Sequence, residues 1–209
     1  MSGSPASTPK GERRRQALVE AAAALLVEGG FDAVRHRAVA ERAGLPLAST
    51  TYYFTDLDDL VAAAAEHHGR TELARGRAKL TELSSRQRGV DAVVEILLDQ
   101  LLGPASEHDA EAVLSRYERL VATGRRPYLR PLMRELSAEL HELLLESFAR
   151  CGLPADHERV DQLVALADGA VVNALIEVDP DPRTAARKML HDALDQGFPA
   201  GMPATGQDR

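Results

Sequence analysis

Apolar residues recur at three- and four-residue spacing along nearly the whole chain, the period of a helix with one buried face. Leu18, Ala21, Ala22, Leu25 and Leu26 mark a first helix over about 10–28. Gly29-Gly30 supplies a left-handed stop, and Phe31 follows as an apolar anchor. A short helix is predicted over 37–43, with Val39, Ala40 and Ala43 inward and Gly44 as its break. Pro46 suits the first turn of a third helix over 47–54. Two short helices joined by a glycine turn make a helix-turn-helix pattern. Val39, Leu45, Thr50 and Phe54 fall where its three-helix core needs filling, Thr50 being the weak filler.

Asp56 is a good N-cap for the next helix, and Asp58 and Asp59 sit in its positive first turn. That helix is predicted over 57–83, followed by helices over 87–102, 107–124, 128–151, 156–178 and 182–196. Glycine and proline mark the breaks between them. The pattern predicts nine helices and an all-α fold. The small, polar ends, 1–9 and 197–209, read as disordered tails.

Composition supports this. The 209 residues include 34 Ala and 29 Leu but two Ile, and Ala and Leu are the strongest helix formers. Cys151 is the single cysteine, so an internal disulfide and a Cys-rich zinc site are excluded. A reducing intracellular compartment is the simplest reading. No apolar run reaches the ~18 residues of a membrane span, and residues 1–15 lack the pattern of a secretory signal. No nucleotide loop, HExxH run or Cys/His nucleophile pair points to an enzyme. His67, His68 and His108 are not read as a metal site, because adjacent helical histidines point apart. No metal and no cofactor is expected.

The net charge of −7 changes meaning once it is located. Residues 1–55 carry seven basic and five acidic side chains, whereas the remainder carries 18 basic and 27 acidic. The head is therefore positive and the body acidic. Arg13, Arg14 and Arg15 open the first helix, where the helix dipole disfavours cations. A phosphate partner would offset that cost; a solvated charge run is the plainer alternative. Arg35, His36 and Arg37 stand at the start of the second helix, whose amides also favour phosphate.

The segment RRRQALVEAAAALLVEGGFDAVRHRAVAERAGLPLASTTYYFTDLDDLV, residues 13–61, resembles the tetracycline-repressor (TetR) family of bacterial transcription regulators. Its marks are the long first helix, the Gly-Gly-Phe turn, the run VAERAGL, the aromatic run TTYYF and the acidic-capped helix that follows. The resemblance implies a helix-turn-helix DNA-binding domain at 10–56 and a helical-bundle ligand-binding and dimerisation domain at 57–196. It implies a cytoplasmic one-component regulator, by family default a repressor. Such a protein binds a palindromic operator in double-stranded DNA as a homodimer and is released by a small-molecule effector. A helical carrier or interaction protein that has lost DNA binding is the alternative. Neither reading involves a membrane.

By the same resemblance the third helix presents Leu47, Ala48, Ser49, Thr51 and Tyr52 to the major groove. Leu47 and Ala48 suit thymine methyls, and Ser49 a base edge or a phosphate. Tyr52 resembles the family's phosphate-contacting tyrosine; Tyr53 either joins it or packs in the core. Arg13, Arg14, Arg35, His36 and Arg37 complete the DNA-facing set. The chain departs from the family in three places. Arg35 and His36 stand where Ser or Thr often caps the second helix, Leu47 and Ala48 where polar or basic residues are frequent, and Leu57 where Lys is common.

The last two helices are the implied dimer interface, through Val164, Ala167, Ala170, Val171, Ala174, Leu175, Ala186, Met189, Leu190 and Ala193; burial within one chain is the alternative. An effector pocket would draw on Leu97, Leu101, Tyr117, Val121, Met133, Leu136 and Phe148. His141, Asp168 and Asn173 interrupt apolar runs and are candidates to orient the ligand; a satisfied interface polar group is the plainer alternative for each.

Overall fold

The computed structural model describes residues 8–82, 88–103, 110–177 and 181–197. Among them every regular element is helical: α1 Pro9–Ala33, α2 His36–Arg42, α3 Ala48–Tyr53, α4 Leu57–Glu82, α5 Val90–Leu102, α6 Ala110–Thr123, α7 Arg130–Arg150, α8 His157–Ile176 and α9 Pro182–Gly197, with a 3-10 turn at Pro127–Leu129. None is long and apolar enough to cross a membrane. The expected helix starts at 87 and 107, the end at 83, the end at 178, and most of both tails lie outside the described residues. Thr8 and Pro9, expected in the first tail, instead open α1: the Thr8 hydroxyl accepts from the Gly11 amide at 3.1 Å, and Pro9 occupies the first turn. Gly197, expected in the second tail, closes α9.

The described residues fall into two compact units, one within Met1–Ala74 and Ser115–Ser137, the other within Arg75–Leu114 and Ala138–Arg209. The first has a core of Leu18, Ala22 and Leu26 from α1, Val34 and Val39 around α2, and Phe54 after α3. Leu60, Val61 and Ala64 from the first turns of α4 complete it. Fully buried side chains such as Leu18, Phe54 and Leu60 each contribute roughly 2 kcal/mol of transfer free energy. The expected stop at Gly29-Gly30 is a kink rather than an end. Gly30 sits at φ 66° and ψ −166°, a region closed to side-chain-bearing residues, and α1 then resumes to Ala33. Gly44 takes φ 63° in the turn between α2 and α3. Asp56 caps α4 as the sequence suggests: its Oδ1 accepts from the Asp59 amide at 2.8 Å, and Asp59 Oδ2 accepts in return from the Thr55 amide at 3.0 Å.

The second unit packs α8 along α9 and α5 against α9. Val93, Val94, Leu97 and Leu98 of α5, Leu144 and Phe148 of α7, Val160, Leu163 and Val171 of α8, and Ala186, Leu190 and Leu194 of α9 are all buried. One buried cation pins α9 to the end of α5. Arg183, 8% exposed, donates to the Gly103 carbonyl at 2.9 Å and to Asp99 at 2.5 Å. Lys79 pairs with the same Asp99, and Arg187 binds Glu95 at 2.7 Å. Arg183 thus gives a partner to the Gly103 carbonyl at the C-terminal end of α5, where a cation is favoured.

Candidate nucleic-acid interface

Helix α3 is short because it is bounded on both sides. Pro46 precedes it, and Phe54 turns extended to drop into the core. The face toward α1 and α2 is fixed by Thr50, which is fully buried and donates its hydroxyl to the Leu47 carbonyl at 2.8 Å. The weak filler of the sequence reading is therefore a satisfied polar residue, and the site costs no unpaired hydroxyl. The opposite face is open. Leu47 is 52% exposed and Tyr52 68% exposed, with Ala48 and Thr51 beside them and Ser49 half-buried.

The two tyrosines divide. Tyr53 is half-buried, packs against the head core, and meets Tyr52 edge-on at a centroid distance of 4.9 Å. Its hydroxyl lies beside Gly11 in the first turn of α1. Of the two uses open to Tyr53, packing is therefore the one the geometry supports, while Tyr52 stands out from the surface.

The arginines are also sorted. Arg13 and Arg14 are exposed, whereas the Arg15 guanidinium lies 5.3 Å from the centroid of the Phe54 ring. Arg35 is exposed, with its Nε donating to the Asp32 carbonyl at 2.9 Å. Arg37 is exposed on the first turn of α2. His36 is half-buried, and its Nδ1 is enclosed without a hydrogen-bond partner, so this nitrogen does not face a phosphate. Arg42 forms a two-pronged pair with Glu28, one arm at 2.6 Å. The pair holds the Glu28 carboxyl below its ordinary pKa, through the hydrogen bond first and charge second. It ties the end of α2 to α1 and removes one of the seven head cations from use.

The first unit also contains contacts that sequence reasoning missed. The Arg126 guanidinium lies 3.8 Å from the centroid of the Phe31 ring. Arg119 donates to the Val27 carbonyl at 3.1 Å, and desolvation lowers its pKa. The Tyr128 hydroxyl faces Asp58, and burial first, then that carboxylate, raises its pKa. These contacts join α6 and the turn before α7 to the end of α1 and the start of α4. Their residues are 70 to 95 positions apart, beyond the reach of a helical period.

The candidate effector residues divide between the two units. Tyr117, Val121, Met133 and Leu136 lie in the first, and Leu97, Leu101, Phe148, His141, Asp168 and Asn173 in the second. Leu97 and Phe148 are wholly buried, and Leu101, Tyr117 and Leu136 nearly so. Met133 and Asp168 are half-buried. Val121 is instead 74% exposed and Asn173 also faces outward, because each lies on the open side of its helix. His141 Nε2 stands 2.7 Å from Asp161 Oδ1, so its polar edge is engaged between α7 and α8. His108 lies outside the described residues.

The residues expected at the dimer interface also divide by exposure. Ala167, Ala170, Val171, Ala174, Ala186 and Leu190 are buried inside the second unit. Val164, Leu175 and Ala193 are half-buried, and Met189 is 39% exposed. The small residues let α8 and α9 approach each other within one chain. The outward apolar strip is Leu166, Val172 and Ile176, passing Gly169, with Ile176 79% exposed. Helix α8 has two apolar faces, and the small-residue signal picked out the inner one.

Comparison with known proteins agrees with this architecture. The family described as "Bacterial regulatory proteins, tetR family" matches residues 18–64, and "Tetracyclin repressor-like, C-terminal domain" matches residues 88–196. The HTH-type transcriptional regulator BetI of Burkholderia mallei is 28% identical over 188 residues, covering 88% of this chain and 93% of its own. The multidrug binding protein EbrR, solved with imidazole, is 30% identical with a TM-score of 0.63, covering 92% of this chain and 97% of EbrR. A TetR-family member from Streptomyces coelicolor A3 is 32% identical with a TM-score of 0.58, covering 86% and 97%. The fold and its exposed third helix define a helix-turn-helix transcription regulator. The chain belongs to the TetR family, whose members are DNA-binding transcription regulators with a ligand-binding C-terminal domain and not enzymes.

Proposed function

We propose that this protein is a cytoplasmic homodimeric repressor that grips a palindromic operator with two heads and lets go when a small organic molecule binds the body. The observation that carries this reading is the open face of α3, held on a buried three-helix core and flanked by the exposed Arg13, Arg14 and Arg37. Phosphate contacts from these cations would supply affinity, and α3 would supply register in the major groove. The acidic excess outside residues 1–55 would repel the duplex from the body and fix one binding orientation.

Four large apolar side chains left open on the last two helices, Leu166, Val172 and Ile176 of α8 and Met189 of α9, support pairing of two chains through α8 and α9. Two heads reading half-sites about one helical turn apart require such a pair. Release follows if the effector binds better to a state in which the head spacing no longer matches the operator. EbrR is solved with imidazole and with ethidium, which makes ethidium the first effector probe for this chain.

The deciding experiment selects bound fragments from genomic DNA with the full chain and then titrates one fragment at two salt concentrations. Recovery of a shared palindrome, bound more weakly at high salt and released by an effector, supports the proposal. Failure to enrich any fragment at low salt would refute it.

A further inference from the structure

The surface that α3 offers to a duplex is poor in hydrogen-bonding groups. Heads that read bases by paired hydrogen bonds use Arg, Lys, Asn or Gln against guanine and adenine edges. Residues 47–53, LASTTYY, contain none of these. Two of the three small hydroxyls are also committed inside the helix. Thr50 donates to the Leu47 carbonyl at 2.8 Å and is wholly buried, and Thr51 donates to the Ala48 carbonyl at 3.3 Å. With its proton turned to the backbone, the exposed Thr51 keeps only its acceptor lone pairs and its methyl for a partner. Beside it stand Ala48, also exposed, and Leu47, an apolar side chain 52% exposed. Leaving a leucine half open costs the isolated head transfer free energy that an apolar partner would recover. The exposed Arg13, Arg14 and Arg37 supply the charge complement of a duplex.

The only apolar group that B-DNA displays in its major groove is the C5 methyl of thymine. We infer that α3 reads pyrimidine C5 methyl groups, with Leu47 and Ala48 packing on them and Thr51 closing the patch. Discrimination at these steps rests on the presence of the methyl and not on base hydrogen bonds. Ser49 is left as the hydroxyl for a base edge or phosphate. Uracil, which pairs as thymine does and lacks only the methyl, is therefore a wrong letter for this head. The inference rests on the operator-binding reading proposed above and specifies what that site recognises.

The test uses a fragment recovered by the genomic selection, synthesised once with thymine and once with deoxyuridine throughout the half-sites. A third duplex carries deoxyuridine outside the half-sites only. The full chain is expected to bind the half-site uracil duplex more weakly by about threefold to fourfold for each lost methyl contact. The third duplex should match the thymine duplex. Leu47→Ala should bind thymine DNA more weakly and distinguish it less from uracil DNA. Tyr52→Phe should weaken both equally and leave their ratio unchanged. Equal affinity of the unaltered protein for thymine and half-site uracil duplexes would overturn the inference while leaving operator binding intact. So would a thymine preference that survives unchanged in both Leu47→Ala and Ala48→Gly. Absence of binding to any selected fragment would overturn the operator reading and this inference together.

Discussion

Arg126 holds its guanidinium 3.8 Å from the centroid of the Phe31 ring, so the turn after α6 is stacked on the end of α1. The Arg126 Nη1 also donates to the Ala122 carbonyl at 2.9 Å, which fixes the cation on its own turn. Cation–π contacts of this kind contribute about 0.5 to 2 kcal/mol depending on exposure. Arg126→Ala and Phe31→Leu should each lower thermal stability. In a double-mutant cycle the pair should show a coupling of roughly 1 kcal/mol. Strict additivity of the two substitutions would show that the stack carries no energy.

The head's phosphate contacts are separable by their salt response. Arg37→Ala should weaken operator binding and reduce the slope of log K against log salt by about one for each head. Tyr52→Phe removes an uncharged donor and should weaken binding by roughly threefold to tenfold with the slope unchanged. Titration by gel shift across a salt series reads both. Arg42→Ala serves as a contrast, because Arg42 is held by Glu28: its first effect should be lower head stability.

Pairing through the outer face of α8 predicts a specific failure. Ile176, 79% exposed, should tolerate Glu without unfolding the chain, since nothing in its own unit covers it. Sedimentation should then report a monomer with unchanged helical circular dichroism. Operator affinity should drop on the order of tenfold or more, because one head then holds half a palindrome. A dimeric Ile176→Glu protein would place the interface elsewhere.

Two glycines in α4 should respond oppositely to alanine. A Cβ at Gly69 would meet Leu136 Cδ1 at 2.5 Å, and Leu136 is itself 9% exposed with little room to retreat. Gly69→Ala should destabilise by about 1 to 3 kcal/mol through overpacking, despite its better helix propensity. The atoms nearest a Cβ at Gly76 are the amide end of the half-exposed Gln100, the far end of a flexible side chain rather than backbone. Gly76→Ala should leave the melting temperature level or raise it, by at most about 1 kcal/mol of helix propensity.

Acid should loosen the α5–α9 contact. Glu95 lies below its ordinary pKa of 4.5, chiefly through its hydrogen bond from Arg187 and then through Arg183. A carboxylate depressed by folding adds stability above its unfolded pKa and loses it as pH falls through the folded value. Its contribution is therefore full at neutral pH, fades as pH drops past about 4.5 and vanishes below the lowered value. Glu95→Gln should flatten the acid limb of a melting-temperature profile and lower the plateau slightly, since Glu95 is half-exposed and screened.

The nine helices among the described residues, the glycine turn at Gly44 and the Asp56 cap are legible because each depends on residues within a few positions of one another. What depended on distant pairs was not. Arg42 counted as a free cation until Glu28, fourteen positions away, was seen to hold it. Arg15 adjoins the DNA-facing candidates Arg13 and Arg14 in sequence, and only the fold shows that it lies over the Phe54 ring. Helical periodicity identifies an apolar face without saying which neighbour it meets. The sequence therefore leaves Ala167, Val171 and Ala186 open to a partner chain or to their own unit, and they are buried within their own unit. Val121 and Asn173 fell to the same ambiguity, since a period of 3.6 does not distinguish an interior from an open flank.

Leu60, Val61 and Ala64 belong to the core that α1 and Phe54 build, although they lie beyond the end of the helix-turn-helix. This sets a rule for anyone transplanting the head onto another regulator. A graft cut at residue 56 would leave behind three side chains of the core that also holds Leu18 and Leu26, and the recipient's own helix would have to supply matching shapes. A graft carried through Ala64 brings its lid along. Fusions joined past that point should keep this head's operator preference while taking orders from a foreign body.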